Sequence, residues 1–428
     1  MNKRNEIPDL KILTRNCGGI DPTSIEEYKQ SGGYTSLATA LRRTPSQIIA
    51  ELMKSNLRGR GGAGFPTGIK MEAVLNNEIQ PKYLVCNADE GEPGNFKDKY
   101  LLEHDPHQLI EGMIIGGYAI GAAKGYIYIR GEYDKAIRLI DRAIEQARQS
   151  RFLGENILGS SFSFDIDIKS GAGAYVCGEE FALIESLEGK AGRPRNKPPY
   201  PTVSGINNKP THISNVETFS NFPYIIREGG EKYASIGTPT SSGTRLISLS
   251  GNVTRRGVFE VPFGVTIRQI IEDLGGGVPE GRNILMVQLG GASGPCIPPD
   301  MLDLRLDYKE LADLGLSMGS GAVIVVDDRF DVLKIVQLNM RFFNHESCGK
   351  CTPCREGIRQ ILRILHRFIN GTASENDREL LESICNVLSM TAFCGLGQAA
   401  PACILTTMRF FPEVYTAGIQ SRARRFVV

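Results

Sequence analysis

The chain has 428 residues, of which 41% are hydrophobic and 23% charged, and its 49 basic and 48 acidic residues leave a net charge of +1. That size suits two or three packed domains, and the charge balance excludes a reading built on bulk attraction to nucleic acid or to an acidic membrane. The start, MNKRNEIPDLKIL, lacks the apolar core and cleavage site of a signal peptide, and no run approaches the roughly 18 apolar residues of a membrane span, so a cytoplasmic chain without direct membrane insertion is expected.

Residues 21–56 read as helical, with a start signal at Pro45 and Ser46 before IIAELMK. The glycine-rich stretch LRGRGGAGFPTGIK, 57–70, follows. YLVCNADE (83–90) reads as a buried strand running into an acidic loop, HQLIEGMIIGGYAIGAA as a mostly buried helix and GYIYIRG as a second strand. In DKAIRLIDRAIEQARQS, Ile137, Ile140, Ala143, Ile144 and Ala147 fall on one stripe, as on a helix covering a sheet, while FSFDIDIK alternates like a half-buried strand. This alternation predicts an α/β domain over 1–242, ending in a linker at SIGTPTSSGT.

The next segment, 243–328, carries short strands (RLISLSG, GVFEVP, ILMVQLGG, AVIVVDD) with one helix, TIRQIIEDLGG, among them, and predicts a compact α+β module. From Val332 the pattern turns helical, with Ile358, Ile361, Leu362, Leu365, Phe368 and Ile369 on one face, and 331–345, 355–370, 374–389 and 397–411 predict a four-helix bundle within 329–428. The basic tail, SRARRFVV, reads as a solvated terminus.

Ten cysteines in a cytoplasmic chain point to metal binding or burial rather than to disulfides. CGKCTPC supplies Cys348, Cys351 and Cys354, a C-x2-C-x2-C run able to wrap three thiolates around one iron-sulfur cubane. Cys385, Cys394 and Cys403 are the candidates for a fourth ligand. Cys394, in the loop FCGLG, has the freest backbone and is preferred, because the other two lie on helical stripes. Zinc is the competing metal, but it favours paired knuckles and only one compact run is present.

A glycine loop leading into a helix presents backbone N–H groups to an anion, and Arg58, Arg60 and Lys70 add charge, so a phosphorylated ligand is the expected occupant. The loop lacks the G-K-[ST] of a P-loop. CNADEGEPGNFKDK gathers Asn87, Asp89, Glu90 and Glu92, and GAGAYVCGEE adds Glu179 and Glu180 before the helix FALIESLEG. Carboxylates and amides there can bind ribose or ribityl hydroxyls and a heterocycle edge. A set of solvated loops would explain each stretch singly but not three in one domain.

Taken together, RGRGGAGFPTG, NADEGEPG, GAGAYVCGEE, PRNKPPYP, NVET and SCGKCTPCREG with Cys394 resemble the flavin-bearing, NADH-oxidising member of respiratory complex I, its F subunit, and the relatives of that protein in NAD-linked hydrogenases and formate dehydrogenases. The resemblance covers nearly the whole chain. It implies a Rossmann-like α/β domain for FMN and NADH, a ubiquitin-like β-grasp (SLBB-type) α+β domain, and a C-terminal four-helix bundle carrying a 4Fe-4S cluster. It carries FMN and nucleotide binding onto Gly59, Arg60, Gly61, Gly62, Gly64, Lys70, Asn87, Asp89, Glu90, Tyr175, Gly178, Glu179, Asn215 and Thr218. Phe65 and Tyr200 would flank the adenine of NADH, Lys197 would lie near the nucleotide, Glu92 near the nicotinamide and Glu180 at the adenosine ribose.

A carboxylate at Glu180 would accept from a ribose 2'-hydroxyl and repel the 2'-phosphate of NADPH. FMN would take a hydride and feed electrons singly to the cluster, which needs no acid or base and suits three loops without histidine. Implied partners are a thioredoxin-like 2Fe-2S subunit and a larger iron-sulfur, hydrogenase or formate dehydrogenase subunit, through which any membrane attachment would be indirect. The chain departs from the family pattern at Met71, where Trp is usual, at Ala73, at Phe181 for Thr, and at Ser214 for Asn. With Cys17 alone at the front and no cysteine after Cys403, a complex I-like parent is expected first. A soluble NAD(P)-linked hydrogenase or formate dehydrogenase, electron-bifurcating or not, comes second and a non-catalytic scaffold third.

Overall fold

The computed structural model describes residues 6–423; the end of the basic tail lies outside the described residues. Strands β1 (Lys82–Ala88), β2 (Ala122–Arg130), β3 (Asp165–Gly171) and β4 (Thr211–Asn215) form a parallel sheet in the order β3-β2-β1-β4. Both faces are covered, as a parallel sheet requires. Leu84, Cys86, Ile127 and Ile129 pack under the helices Thr67–Leu75, Pro106–Ile120 and Asp134–Gln149, while Val85, Tyr128 and Ile213 face Phe181, Leu183 and Ile184 of the helix Glu180–Leu187. Pro106–Ile120 is buried nearly all round. Asp105 caps its start by accepting from the Gln108 N–H, and Gly121 closes it at φ 67°.

The SIGTPTSSGT stretch is not a free linker. Strands β5 (Gly237–Thr238) and β6 (Ser241–Ser242) form a hairpin there, and Ser241 and Ser242 are buried. Their small polar groups are needed inside: the carbonyls of Ser242 and Thr244 accept from the Arg60 guanidinium, and Thr240 Oγ1 donates to Asp307 at 2.6 Å.

Strands β7 (Thr244–Gly251), β8 (Gly257–Pro262), β9 (Ile284–Leu289), β10 (Cys296–Ile297) and β11 (Ala322–Asp327) make a second sheet in the order β10-β9-β11-β7-β8. Only the β11–β7 pair is parallel; the others are antiparallel. A capping box of Thr266 and Gln269 starts the expected helix, which widens to a π-turn over Ile270–Leu274. A second helix, Tyr308–Asp313, escaped the periodicity because it spans only 6 residues. Glu260 of β8 ties the front of the chain to this sheet, accepting from the N–H groups of Ile12, Leu13 and Thr14.

The last third is helical: Val332–Glu346, Thr352–Ile369, Glu375–Thr391, Gly395–Ala399, Ala402–Phe410 and Pro412–Ala423. The expected helix 397–411 is broken at Pro401, which lacks the N–H a continuous helix needs, into Gly395–Ala399 and Ala402–Phe410. Among the described residues no helix is long and apolar enough to cross a membrane.

Candidate functional site

The glycine loop runs from Arg58 to Phe65 and is pinched at its base, where Gly59 N–H donates to the Phe65 carbonyl at 2.9 Å and Thr67 N–H to the Leu57 carbonyl at 2.9 Å. Gly62 and Gly64 take φ of 119° and 64°, which other residues rarely adopt. A Cβ on Gly61 would stand 3.2 Å from that of Asn215. Among the described residues the N–H groups of Gly61, Gly62, Ala63 and Gly64 make no hydrogen bond of ordinary geometry. Such a run of free donors beside a lysine is the cradle an anionic phosphate fits.

Lys70, one turn into the following helix, pairs with Glu180, and Lys197 bridges Glu179 at 2.9 Å and Glu180 at 3.2 Å. Burial pushes the Glu180 carboxyl up, but the two lysines overrule it and bring its pKa down to about 2. Glu179 also caps the helix behind it, accepting from the N–H groups of Phe181 and Ala182 at 3.0 Å. Beside them, at the C-terminal end of β1, Asn87 donates to the Gly178 carbonyl at 2.8 Å and accepts from Asp89 N–H. Asp89 Oδ2 is buried without a partner, and burial, ahead of the nearby Arg130, lifts that carboxyl to about 7. A ligand hydroxyl would satisfy it.

Phe65, at the end of the glycine loop, and Tyr200, three residues after Lys197, expose 54% and 55% of their surfaces. Ala73 is also exposed, whereas Met71 is fully buried and cannot wall a nucleotide. Phe181 is buried under Arg195 and Lys197, and Ser214 pairs with Cys86 inside the sheet.

Four expected binding residues direct their side chains into a polar layer beneath the loop. Arg60, fully buried, donates to Tyr233 Oη and to the Ser242 and Thr244 carbonyls, with Glu217 at 3.9 Å. Thr218 accepts from Arg60 N–H at 2.9 Å. Glu90 accepts from the N–H groups of Asp98 and Lys99 and from Tyr133, and burial raises it to about 7. Asn215 donates to Asp98 at 2.6 Å and accepts from Lys97, itself paired with buried Glu217 at 2.9 Å. Residue type alone gives no sign of these protein partners.

Glu92 accepts from Tyr175 Oη at 2.6 Å and from Ser293 N–H and Oγ at 2.8 and 2.9 Å, and burial raises its pKa. Ser293 comes from the loop between β9 and β10 and carried no local signal. Tyr175 reaches onward: its N–H donates to Glu346 at 2.9 Å and its ring meets Phe342 edge-on at 5.1 Å.

Cys348, Cys351, Cys354 and Cys394 line one pocket with Val176, Pro194, Lys350 and Phe393. Cys385 and Cys403 are fully buried elsewhere in the bundle. Among the described residues no three His, Cys, Asp or Glu side chains converge closely enough to share one metal ion. The four thiols share this pocket, a grouping compatible with a polynuclear cluster that takes one thiolate per iron. Burial pushes the Cys354 thiol up to about 11 and raises Cys394, so a cationic cluster is what would hold them as thiolates.

The family model described as the Nuo51 FMN-binding domain matches residues 52–224, and that of the NADH-ubiquinone oxidoreductase-F iron-sulfur binding region matches 334–418. The chain is 48% identical to the NADP-reducing hydrogenase subunit HndC of Solidesulfovibrio fructosivorans over 97% of its length and 85% of that protein. It is 45% identical to the second NADH-quinone oxidoreductase F subunit of Rhizobium meliloti, over 96% of this chain and 98% of the other. Its structure resembles an NAD+-reducing NiFe-hydrogenase in the H2-reduced state, with a TM-score of 0.80, 38% identity and 89% of this chain covered, although the match spans only 63% of that longer chain. Free loop amides, a lysine-clamped carboxylate pair and a four-cysteine pocket, together with these matches, establish that the chain belongs to the family of NADH-quinone oxidoreductase F subunits, oxidoreductases that bind FMN and carry a 4Fe-4S cluster.

Proposed function

We propose that the chain takes electrons from NADH at the glycine loop and passes them to a 4Fe-4S cluster in the helical bundle. The observation that carries this reading is one short stretch, GAGAYVCGEE, that serves both sites. Its Val176 lines the cysteine pocket, its Gly178 carbonyl holds Asn87, and its Glu180 pairs with Lys70. In domain terms, 1–242 is the FMN- and NADH-binding unit, 243–328 a ubiquitin-like β-grasp and 329–428 the cluster bundle.

The free N–H groups of Gly61 to Gly64 and Lys70 would hold the FMN phosphate, with Asn87 and Asp89 on ribityl hydroxyls; bound FMN supplies the conversion of a two-electron hydride into single electrons. Phe65 and Tyr200 offer rings to adenine. Glu180 exchanges a lysine for the ribose 2'-hydroxyl, and its retained charge disfavours a 2'-phosphate. Glu92, fixed by Tyr175 and Ser293, orients the nicotinamide end. No side chain needs to move a proton in this scheme.

Onward transfer requires a partner, read as a thioredoxin-like 2Fe-2S subunit with a larger iron-sulfur chain, in a cytoplasmic assembly. A complex I-like parent is the first reading. The 48% identity to a hydrogenase subunit named for NADP supports a soluble hydrogenase as the second. The test is anaerobic titration of FMN-loaded protein with NADH and then NADPH. Bleaching by NADH alone supports the first reading and bleaching by both the second, whereas flavin that neither nucleotide bleaches would leave only an iron-sulfur scaffold.

A further inference from the structure

A loop with four glycines in six positions is the most expensive kind of backbone to order, and its free amides bind an anion well only if something else holds it in shape. That support comes from the second sheet's side of the molecule. Tyr308, at the start of the helix Tyr308–Asp313, packs against the loop at both of its ends. Its Oη donates to the Gly59 carbonyl at 3.4 Å while accepting from Arg245 Nη1 at 3.1 Å. Its ring lies against Gly64, where an added Cβ would come within 2.8 Å of Tyr308 Cε1. The Arg58 guanidinium covers the same ring at 5.1 Å from its centroid.

Tyr308 is itself held. Its N–H donates to Ser241 Oγ at 2.8 Å, Asp307 caps the helix behind it, and the Phe263 ring stands 5.5 Å away. The same wall meets the middle of the loop, since a Cβ on Gly62 would lie 3.7 Å from the backbone of Gly319 and Ser320. Arg245, which donates to Tyr308, also donates to the Gly319 carbonyl.

We infer that Tyr308 is a positioning residue for the flavin: it reaches across from the second sheet to hold the glycine loop in its anion-binding shape and so sets the affinity of the site for the FMN phosphate. This rests on the reading above that FMN occupies the loop. Without the hydroxyl, the Gly59 carbonyl and the Arg245 guanidinium each lose a partner; without the ring, Gly64 loses the surface that fixes its left-handed conformation.

The test uses the full chain, stripped of flavin with its cluster retained, and measures FMN binding by fluorescence quenching. Tyr308→Phe weakens FMN binding about tenfold and Tyr308→Leu further. At saturating FMN the KM for NADH and the cluster EPR signal of both variants match the wild type. Ser241→Ala, which removes a bond to the same helix but leaves the ring and hydroxyl, keeps the wild-type affinity. If the Tyr308→Phe protein folds, keeps its cluster and binds FMN as tightly as wild type, the inference fails and Tyr308 only packs two units together. If wild-type protein does not take up FMN, it is the flavin reading that fails.

Discussion

The cysteine pocket and the glycine loop do related work with opposite materials. In the bundle, four side chains of one chemical kind, three of them within seven residues, line the pocket proposed for the cluster, and the backbone only delivers them. At the loop, the proposed binding surface is backbone N–H, and Arg60, Glu90, Asn215 and Thr218, expected to bind the ligand, hydrogen-bond to protein groups around it. A site made of side chains fails at single residues. A site made of backbone fails through its supports.

The sharpest separation comes from Cys351→Ser, which should abolish the 4Fe-4S EPR signal while NADH still bleaches the flavin. If bleaching is lost as well, the two sites are not independent. Next in size, Gly64→Ala forces a Cβ onto a residue at φ 64° that faces the Tyr308 ring, a strain of roughly 1–3 kcal/mol. FMN affinity, followed by fluorescence, should fall by about tenfold or more with the cluster spectrum intact.

Glu180→Gln is the third. It should raise the KM for NADH about tenfold, move kcat little and narrow the preference over NADPH. Because the folded pKa of Glu180 is depressed to about 2, its charge and its contribution to stability persist above the ordinary carboxylate range and fade only as pH falls through about 4.5 toward 2. Steady-state kinetics should therefore show no Glu180 titration between about pH 5.5 and 8.5.

Asp89 runs the other way. Its carboxyl is raised to about 7, so its contribution to apoprotein stability is fully present below pH 3.8 and lost as pH rises through 7. Asp89→Asn should raise the melting temperature of the flavin-free protein at about pH 8, with the two melting curves converging toward about pH 4. Smallest of all, Cys385→Ala removes a buried thiol outside the pocket and should cost about 1 kcal/mol in denaturant unfolding, leaving the cluster spectrum unchanged.

The same contrast explains what could be read from the sequence. The C-x2-C-x2-C run and Cys394 name their chemistry by residue type, and the alternation of strands and amphipathic helices gave away the parallel sheet, because period and composition are local properties. What stayed hidden was contact between distant segments. Nothing near Ser293 or Tyr308 announces that they reach Glu92 and Gly59 from the second sheet. The polar SIGTPTSSGT stretch looked like a linker because Arg60, whose charge it receives, lies 182 residues before Ser242. Nor does residue type show that Arg60 is fully buried, with its guanidinium on Tyr233, Ser242 and Thr244.

The central claim is electron flow from NADH through the glycine-loop flavin to the four-cysteine cluster. It is tested most directly by anaerobic stopped-flow mixing of FMN-loaded protein with NADH, following flavin absorbance and freeze-quenched EPR in wild type and Cys351→Ser. The account predicts flavin bleaching in both proteins and a reduced 4Fe-4S signal in wild type alone. A cluster reduced by NADH in flavin-free protein, or a loaded flavin that NADH leaves oxidised, would contradict it.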